Sequence, residues 1–140
     1  MSAVRKRAEF PAGGKTVLIV EDQLEMRAIS AAYLNHHGYR VLATDNGLEG
    51  VRVAREEHPD LVLMDISVPG MDGIAATERI KADPCTRDIP VLVVSAHPYG
   101  SVGQRAFEAG CDAWIGKPLD PRRLLEEVRR RLGPPGGEDA

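Results

Sequence analysis

The stretch LVLMDISVPGMDG, Leu61 to Gly73, decides how this chain folds. Four apolar residues end in a single aspartate, Asp65, and a turn with Pro69, Gly70 and Gly73 follows. A short run with no polar alternation is the pattern of a strand covered on both faces, as in a parallel sheet. A carboxylate at the end of such a run is costly unless something compensates its charge. Asp65 is therefore either a solvated residue at a strand end or a group with a task.

Working outward, the same pattern recurs. TVLIV (16–20), RVLA (40–43), VLVV (91–94) and AWI (113–115) are short and rich in strand formers, and with LVLM (61–64) they make five candidate strands. Helical patterns fall between and after them, at about 23–37, 47–57, 73–82, 99–109 and 121–131. Gly38 sits where the first helix should end, a position that favours glycine. The last helix places Leu124, Leu125, Val128 and Leu132 on one face, with Arg122, Arg123, Arg129 and Arg130 largely elsewhere. The fourth helix starts softly, because Pro98, Gly100 and Gly103 occupy its first turns. That softness suits either an element that reorganises or a long loop before a short helix. Strands alternating with helices specify an α/β fold, a doubly wound (βα)5 sandwich on a five-stranded parallel sheet.

The 140 residues suit one domain, and 43% of them are apolar, enough for a single core. A net charge of −3 argues against general nucleic-acid binding. Cys85 and Cys111 form no CxxC pair and read as free thiols. No apolar run approaches a membrane span, and the basic start MSAVRKRAEFPAGGK has no signal-peptide core. A cytoplasmic setting, with no membrane partner, is expected. Residues 1–14 and 133–140 read as disordered tails around a domain over 15–132, and Arg5, Lys6 and Arg7 as solvated.

In an open parallel sheet, ligands bind beyond the carboxyl ends of the strands. Glu21 and Asp22 follow the first strand, Asp65 the third, Ser95 the fourth and Lys117 the fifth. Three carboxylates brought together repel one another. A magnesium ion relieves this, since it takes oxygen ligands and pairs with one or two carboxylates plus phosphate. A carboxylate can also attack phosphorus to give an aspartyl-phosphate, a transfer that needs mainly positioning and charge neutralisation. Lys117 and a metal would supply the charge, and Ser95 could bond a phosphoryl oxygen.

VLIVEDQ, LVLMDISVPGMDG, VLVVSA and WIGKPLD, taken together and in order over about residues 15–132, resemble the receiver domain of two-component response regulators. The resemblance implies strand order 2-1-3-4-5, Asp65 as phosphoacceptor, and a magnesium or manganese ion held by Asp22, Asp65 and the Ser67 backbone carbonyl. Glu21 would help indirectly. Ser95 resembles the switch hydroxyl and Lys117 the phosphate-binding lysine, with the Lys117–Pro118 bond cis. The donor would be a histidine kinase or phosphotransfer protein. The signal would leave through a downstream protein bound to the fourth helix, fifth strand and fifth helix. The chain resembles the stand-alone type known from cell-division and chemotaxis signalling. It would be a monomer or weak dimer, and not a turnover enzyme.

Several positions depart from the usual pattern or stay open. Glu21 stands where an aspartate is often found, and Val68 where many receivers carry methionine. Trp114 occupies the place of a tyrosine or phenylalanine that rotates inward on activation, and it is either such a switch or a fixed, partly buried aromatic. Ser67 and His97 resemble positions that set phosphoryl lifetime, although His97 can equally be a solvated loop residue. His36 and His37 read as helix-end residues. Three other functions compete. A haloacid-dehalogenase-type phosphatase needs a second aspartate where Ser67 stands, and a flavin mononucleotide binder would be repelled by Glu21 and Asp22. A degenerate receiver would lack some site residues, and none is missing here. A receiver cut from a larger hybrid kinase would carry the same motifs.

Overall fold

A computed structural model describes residues 14–135. Five strands alternate with five helices: β1 (Thr16–Val20), α1 (Leu24–His36), β2 (Arg40–Thr44), α2 (Gly47–Glu57), β3 (Leu61–Asp65), α3 (Gly73–Ala82), β4 (Val91–Ser95), α4 (Gly100–Glu108), β5 (Ala113–Gly116) and α5 (Pro121–Leu132). All four strand pairs are parallel, and the sheet order is β2-β1-β3-β4-β5, as the resemblance implied. The predicted elements are all present. The strands run further than the apolar runs suggested, because β2, β3, β4 and β5 each take in one more residue, Thr44, Asp65, Ser95 and Gly116.

Strand side chains alternate between two cores. Leu18, Val20, Val62, Met64, Val91 and Val93 meet Val53, Ala54, Ala76, Ile80 and Ala106 from α2, α3 and α4. Val17, Ile19, Leu61, Leu63, Leu92, Val94 and Ile115 meet Leu34, Leu124, Leu125 and Val128 from α1 and α5. The unbroken apolar runs are thus read on both faces of the sheet. Each large side chain so buried contributes about 1.5–3 kcal/mol.

The helix starts show where the polar groups go. Asn46, Asp72 and Asp120 accept backbone N–H bonds from Glu49, Ala75 and Arg122 at 2.8, 2.8 and 2.9 Å. Each such cap is worth about 1 kcal/mol. α1 differs: Gln23 makes no side-chain cap, and its own N–H goes to Glu21 Oε2 at 3.0 Å. The β1–α1 loop uses its hydrogen bonds on the acidic residues instead.

The expected N-terminal tail lies outside the described residues, save Gly14, and so do residues 136–140. Gly133 to Pro135, expected as part of a disordered tail, are instead held in place. The hydroxyl of buried Tyr39 donates to the Gly133 carbonyl at 2.7 Å, and Lys15 N–H donates to the Pro135 carbonyl at 2.8 Å. This strap joins the end of α5 to the amino-terminal edge of β1 and β2, away from the acidic residues. Tyr39→Phe removes only the hydroxyl bond and should cost about 1 kcal/mol, read as a lower urea midpoint with an unchanged slope. An unchanged midpoint would mean that the Tyr39 hydroxyl bond adds nothing to stability.

Candidate functional site

The residues singled out by sequence meet at the carboxyl ends of the strands. Asp65 and Ser95 are the last residues of β3 and β4, Glu21 and Asp22 follow β1, and Lys117 follows β5. Carboxylate oxygens of Glu21, Asp22 and Asp65 lie within 4.8 Å of one another. Lys117 Nζ donates to Asp65 Oδ2 at 2.8 Å and lies 3.5 Å from Glu21 Oε1. Asp65 is 3% exposed and Glu21 8%, whereas Asp22 is open to solvent.

Burial pushes the Glu21 carboxyl up to about 7, and the neighbouring Asp65 adds to the rise. The Gln23 N–H and the Lys117 charge oppose it without winning. Burial acts to lower the Lys117 ammonium, but the hydrogen bond and charge of Asp65, with Glu21 behind them, hold it above its ordinary value. The site therefore has more carboxylate than its one cation neutralises, and Glu21 is the group that yields.

The loop after β3 is held tightly. Asp65 Oδ1 accepts from Ser67 N–H at 3.0 Å, and Gly73 N–H closes the loop on the Ile66 carbonyl at 2.9 Å. A Cβ at Gly73 would run into the Asp65 and Ile66 backbone, so this helix start demands glycine. Gly47 N–H, at the start of α2, reaches the Pro69 carbonyl at 3.3 Å. Ser67 stands exposed in this loop.

The other side of the site is looser. Ser95 is 1% exposed, its Oγ accepts from the His97 N–H at 2.9 Å, and the His97 ring Nδ1 lies 3.3 Å away. Histidine 97 thus sits against Ser95, with its side chain at the surface. Lys117 N–H donates to the Ser95 carbonyl at 2.8 Å, and the Lys117–Pro118 peptide is cis. Trp114 is half-buried against the core and meets the Tyr99 ring edge-on, with centroids 5.6 Å apart. His36 and His37 meet edge-on at the end of α1, the opposite end of that helix from Glu21 and Asp22.

Two residues near the site escaped the sequence reading. Arg27 donates to the Glu21 carbonyl at 2.9 Å. A cation near a helix N-terminus opposes the helix dipole, and that mismatch was the available signal. Tyr99 lies in the soft segment before α4, where no periodicity marks which residue an aromatic ring will meet.

The comparisons with known proteins agree with this geometry. The family model described as the response regulator receiver domain matches residues 17–129. The chain belongs to the response regulator receiver family. It is similar to the polar-differentiation response regulators DivK of Brucella ovis and Brucella anthropi, each 38% identical over 119 residues that cover 85% of this chain and 97% of the relative. Among solved structures it resembles the receiver domain of a sensor histidine kinase from Pseudomonas aeruginosa (30% identity, TM-score 0.79, covering 86% of this chain and 98% of that one), which has magnesium coordinated in its active-site cleft. A receiver from a Syntrophus aciditrophicus histidine kinase is 33% identical with a TM-score of 0.79, over 84% of this chain and 89% of that one. The protein is thus a two-component signalling module with a flavodoxin-like fold. No helix among the described residues is long and apolar enough to cross a membrane.

The donor set fits a hard divalent cation. It offers carboxylate oxygens only, two of them on buried side chains and one on an open side that leaves room for water. Magnesium at a hundredfold excess over its dissociation constant should stabilise the protein by about 2.7 kcal/mol. Thermal unfolding of Asp22→Asn should show little of this gain. An equal gain in the variant would remove Asp22 from the metal site.

Proposed function

We propose that this receiver takes a phosphoryl group onto Asp65 from a histidine kinase or phosphotransfer protein. The observation that carries the reading is a carboxylate almost wholly buried at a strand end, with a lysine ammonium at 2.8 Å and two further acids beside it. An Asp65 oxygen attacks phosphorus, and the bond from phosphorus to the donor's nitrogen breaks with its electron pair passing to that nitrogen. The donor ring, protonated beforehand on its other nitrogen, leaves as a neutral imidazole. Asp22, Asp65 and the Ser67 carbonyl would hold a magnesium ion, with Glu21 acting indirectly. The ion would offset the charge on the phosphoryl oxygens. Lys117, already on Asp65, is placed to follow a phosphoryl oxygen, and Ser95 offers its hydroxyl to another. His97 and Ser67 flank the acceptor and bear on how long the phosphoryl group lasts. The chain acts once per phosphoryl group, as an acceptor and not as a hydrolytic enzyme.

The signal then leaves by a shift between two conformations that differ in their affinity for a downstream protein. The face of α4, β5 and α5 is the proposed exit. Tyr99 and Phe107 stand exposed there, and Tyr99 joins them to Trp114 on β5, the strand that Lys117 follows. Attachment to a larger kinase is a second reading, favoured by the two kinase receivers among its structural neighbours. The chemistry at Asp65 is the same in both.

With magnesium and a small phosphodonor, the wild-type chain should become labelled with one acid-stable, base-labile phosphoryl group, and Asp65→Asn should not. Labelling that survives in the variant would exclude Asp65 as the acceptor. Trp114 is the sole tryptophan, so beryllofluoride with magnesium should change its fluorescence if the ring moves on activation. An unaltered spectrum would identify Trp114 as a fixed aromatic.

A further inference from the structure

We propose that Arg27 is a positioning residue for the metal pocket, setting the direction of Asp22 by holding the peptide that precedes it. The proposal rests on the reading of Asp22 as a metal ligand. Glu21 is fixed at each of its polar ends. Its N–H donates to the Thr44 carbonyl at 3.0 Å, its Oε2 accepts from Gln23 N–H at 3.0 Å, and its carbonyl accepts from Arg27 Nη1 at 2.9 Å. Asp22 differs. It is exposed, and among the described residues its side chain makes no hydrogen bond or ion pair. Its aim is set by backbone.

The Glu21 carbonyl and the Asp22 nitrogen belong to one planar peptide unit. Fixing the carbonyl oxygen fixes that plane, and with it the starting point of the Asp22 Cα–Cβ bond. Arg27 also lies 3.5 Å from the Asp22 carbonyl, on the far side of the same residue. Both contacts come from Nη1, whose two N–H groups let one nitrogen face two adjacent carbonyls, the Glu21 one at the shorter distance. Arg27 comes from the first turns of α1, whose N-terminus repels a cation. Its two carbonyl partners compensate that placement. With Arg27 gone, the peptide is free to rotate, and the acidic cluster is free to spread in the direction its own repulsion favours.

The test uses the full chain, with magnesium alone as ligand and no kinase present. Amide NMR shifts report the magnesium dissociation constant for wild type, Arg27→Met, Arg27→Lys and Asp22→Asn. Partners that orient a metal ligand are worth about 10–100-fold in metal affinity when removed, so Arg27→Met should bind magnesium at least about tenfold more weakly. Arg27→Lys, which can still give one N–H to the Glu21 carbonyl, should fall between Met and wild type. In magnesium-free protein, hydrogen exchange at the Gln23 amide, which is bonded to Glu21 Oε2, should quicken in Arg27→Met while the β1 and β3 amides keep their protection. The proposal is overturned by magnesium affinity within twofold of wild type, by a lysine variant as weak as the methionine one, or by loss of protection across the whole sheet. If Asp22→Asn also binds magnesium like wild type, the ligand reading itself has failed. If Asp22→Asn weakens binding and Arg27→Met does not, only the role of Arg27 has failed.

Discussion

A carboxylate that is 3% exposed is costly to bury without a cation in hydrogen-bond reach. For Asp65 that cation is Lys117 Nζ at 2.8 Å, and the rest of the molecule is arranged so that this contact can exist. The two residues are 52 positions apart in sequence. They meet because β4 pairs with both β3 and β5, so that Asp65 lies opposite Val94 and Ser95 opposite Gly116 in one register. The parallel sheet puts every strand's carboxyl end on the same edge. Helices on both faces leave that edge open, so polar groups can gather there without crossing the core.

One lysine does not satisfy three acids, and the structure shows how the remainder is shared. Glu21 gives way, its carboxyl raised by burial and by Asp65. Asp22 faces solvent, where water screens it. Such a balance is tolerable without metal and improves with it. A divalent ion would offset the repulsion among these carboxylates and would give Asp22 a partner.

Most of this was legible in the sequence because its signals are local or depend on order alone. Unbroken apolar runs marked buried strands, and the residue after each run marked the site edge, which brought together Glu21, Asp22, Asp65, Ser95 and Lys117. What was not legible depends on contacts that no run or period encodes. The strap from Gly133 to Pro135 reads as a tail because proline and glycine look the same whether they lie free or dock on Tyr39 and Lys15. Arg27 reads as an ordinary helix residue until its partners prove to be backbone carbonyls, which have no signature in sequence. The strand ends were read one residue short because Asp65, Ser95 and Gly116 are not strand formers and Thr44, though β-branched, is polar and ends an apolar run. They are strand residues because their neighbours in register hold them there.

The same contacts divide the site into a stiff half and a soft half. On the β1 and β3 side, Glu21, Ser67, Pro69 and Gly73 are each tied by backbone or side-chain hydrogen bonds, and α2 buries Gly47, Gly50, Val51, Val53 and Ala54 beneath them. On the β4 side, α4 buries only Gly103 and Ala106. Its start is held by the Tyr99 ring, which lies so close over Gly103 that a Cβ there would enter the ring. Hydrogen-bonded loops over a packed core yield little, whereas an element with few buried contacts opens at low free energy. A new group drawing on Ser95 therefore meets least resistance towards α4. Tyr99 and Trp114 lie on that side, and their edge-on contact is worth about 0.5–1.5 kcal/mol. The direction of any response is in this sense set before a phosphoryl group arrives, by which half of the site was bonded and which half was merely packed.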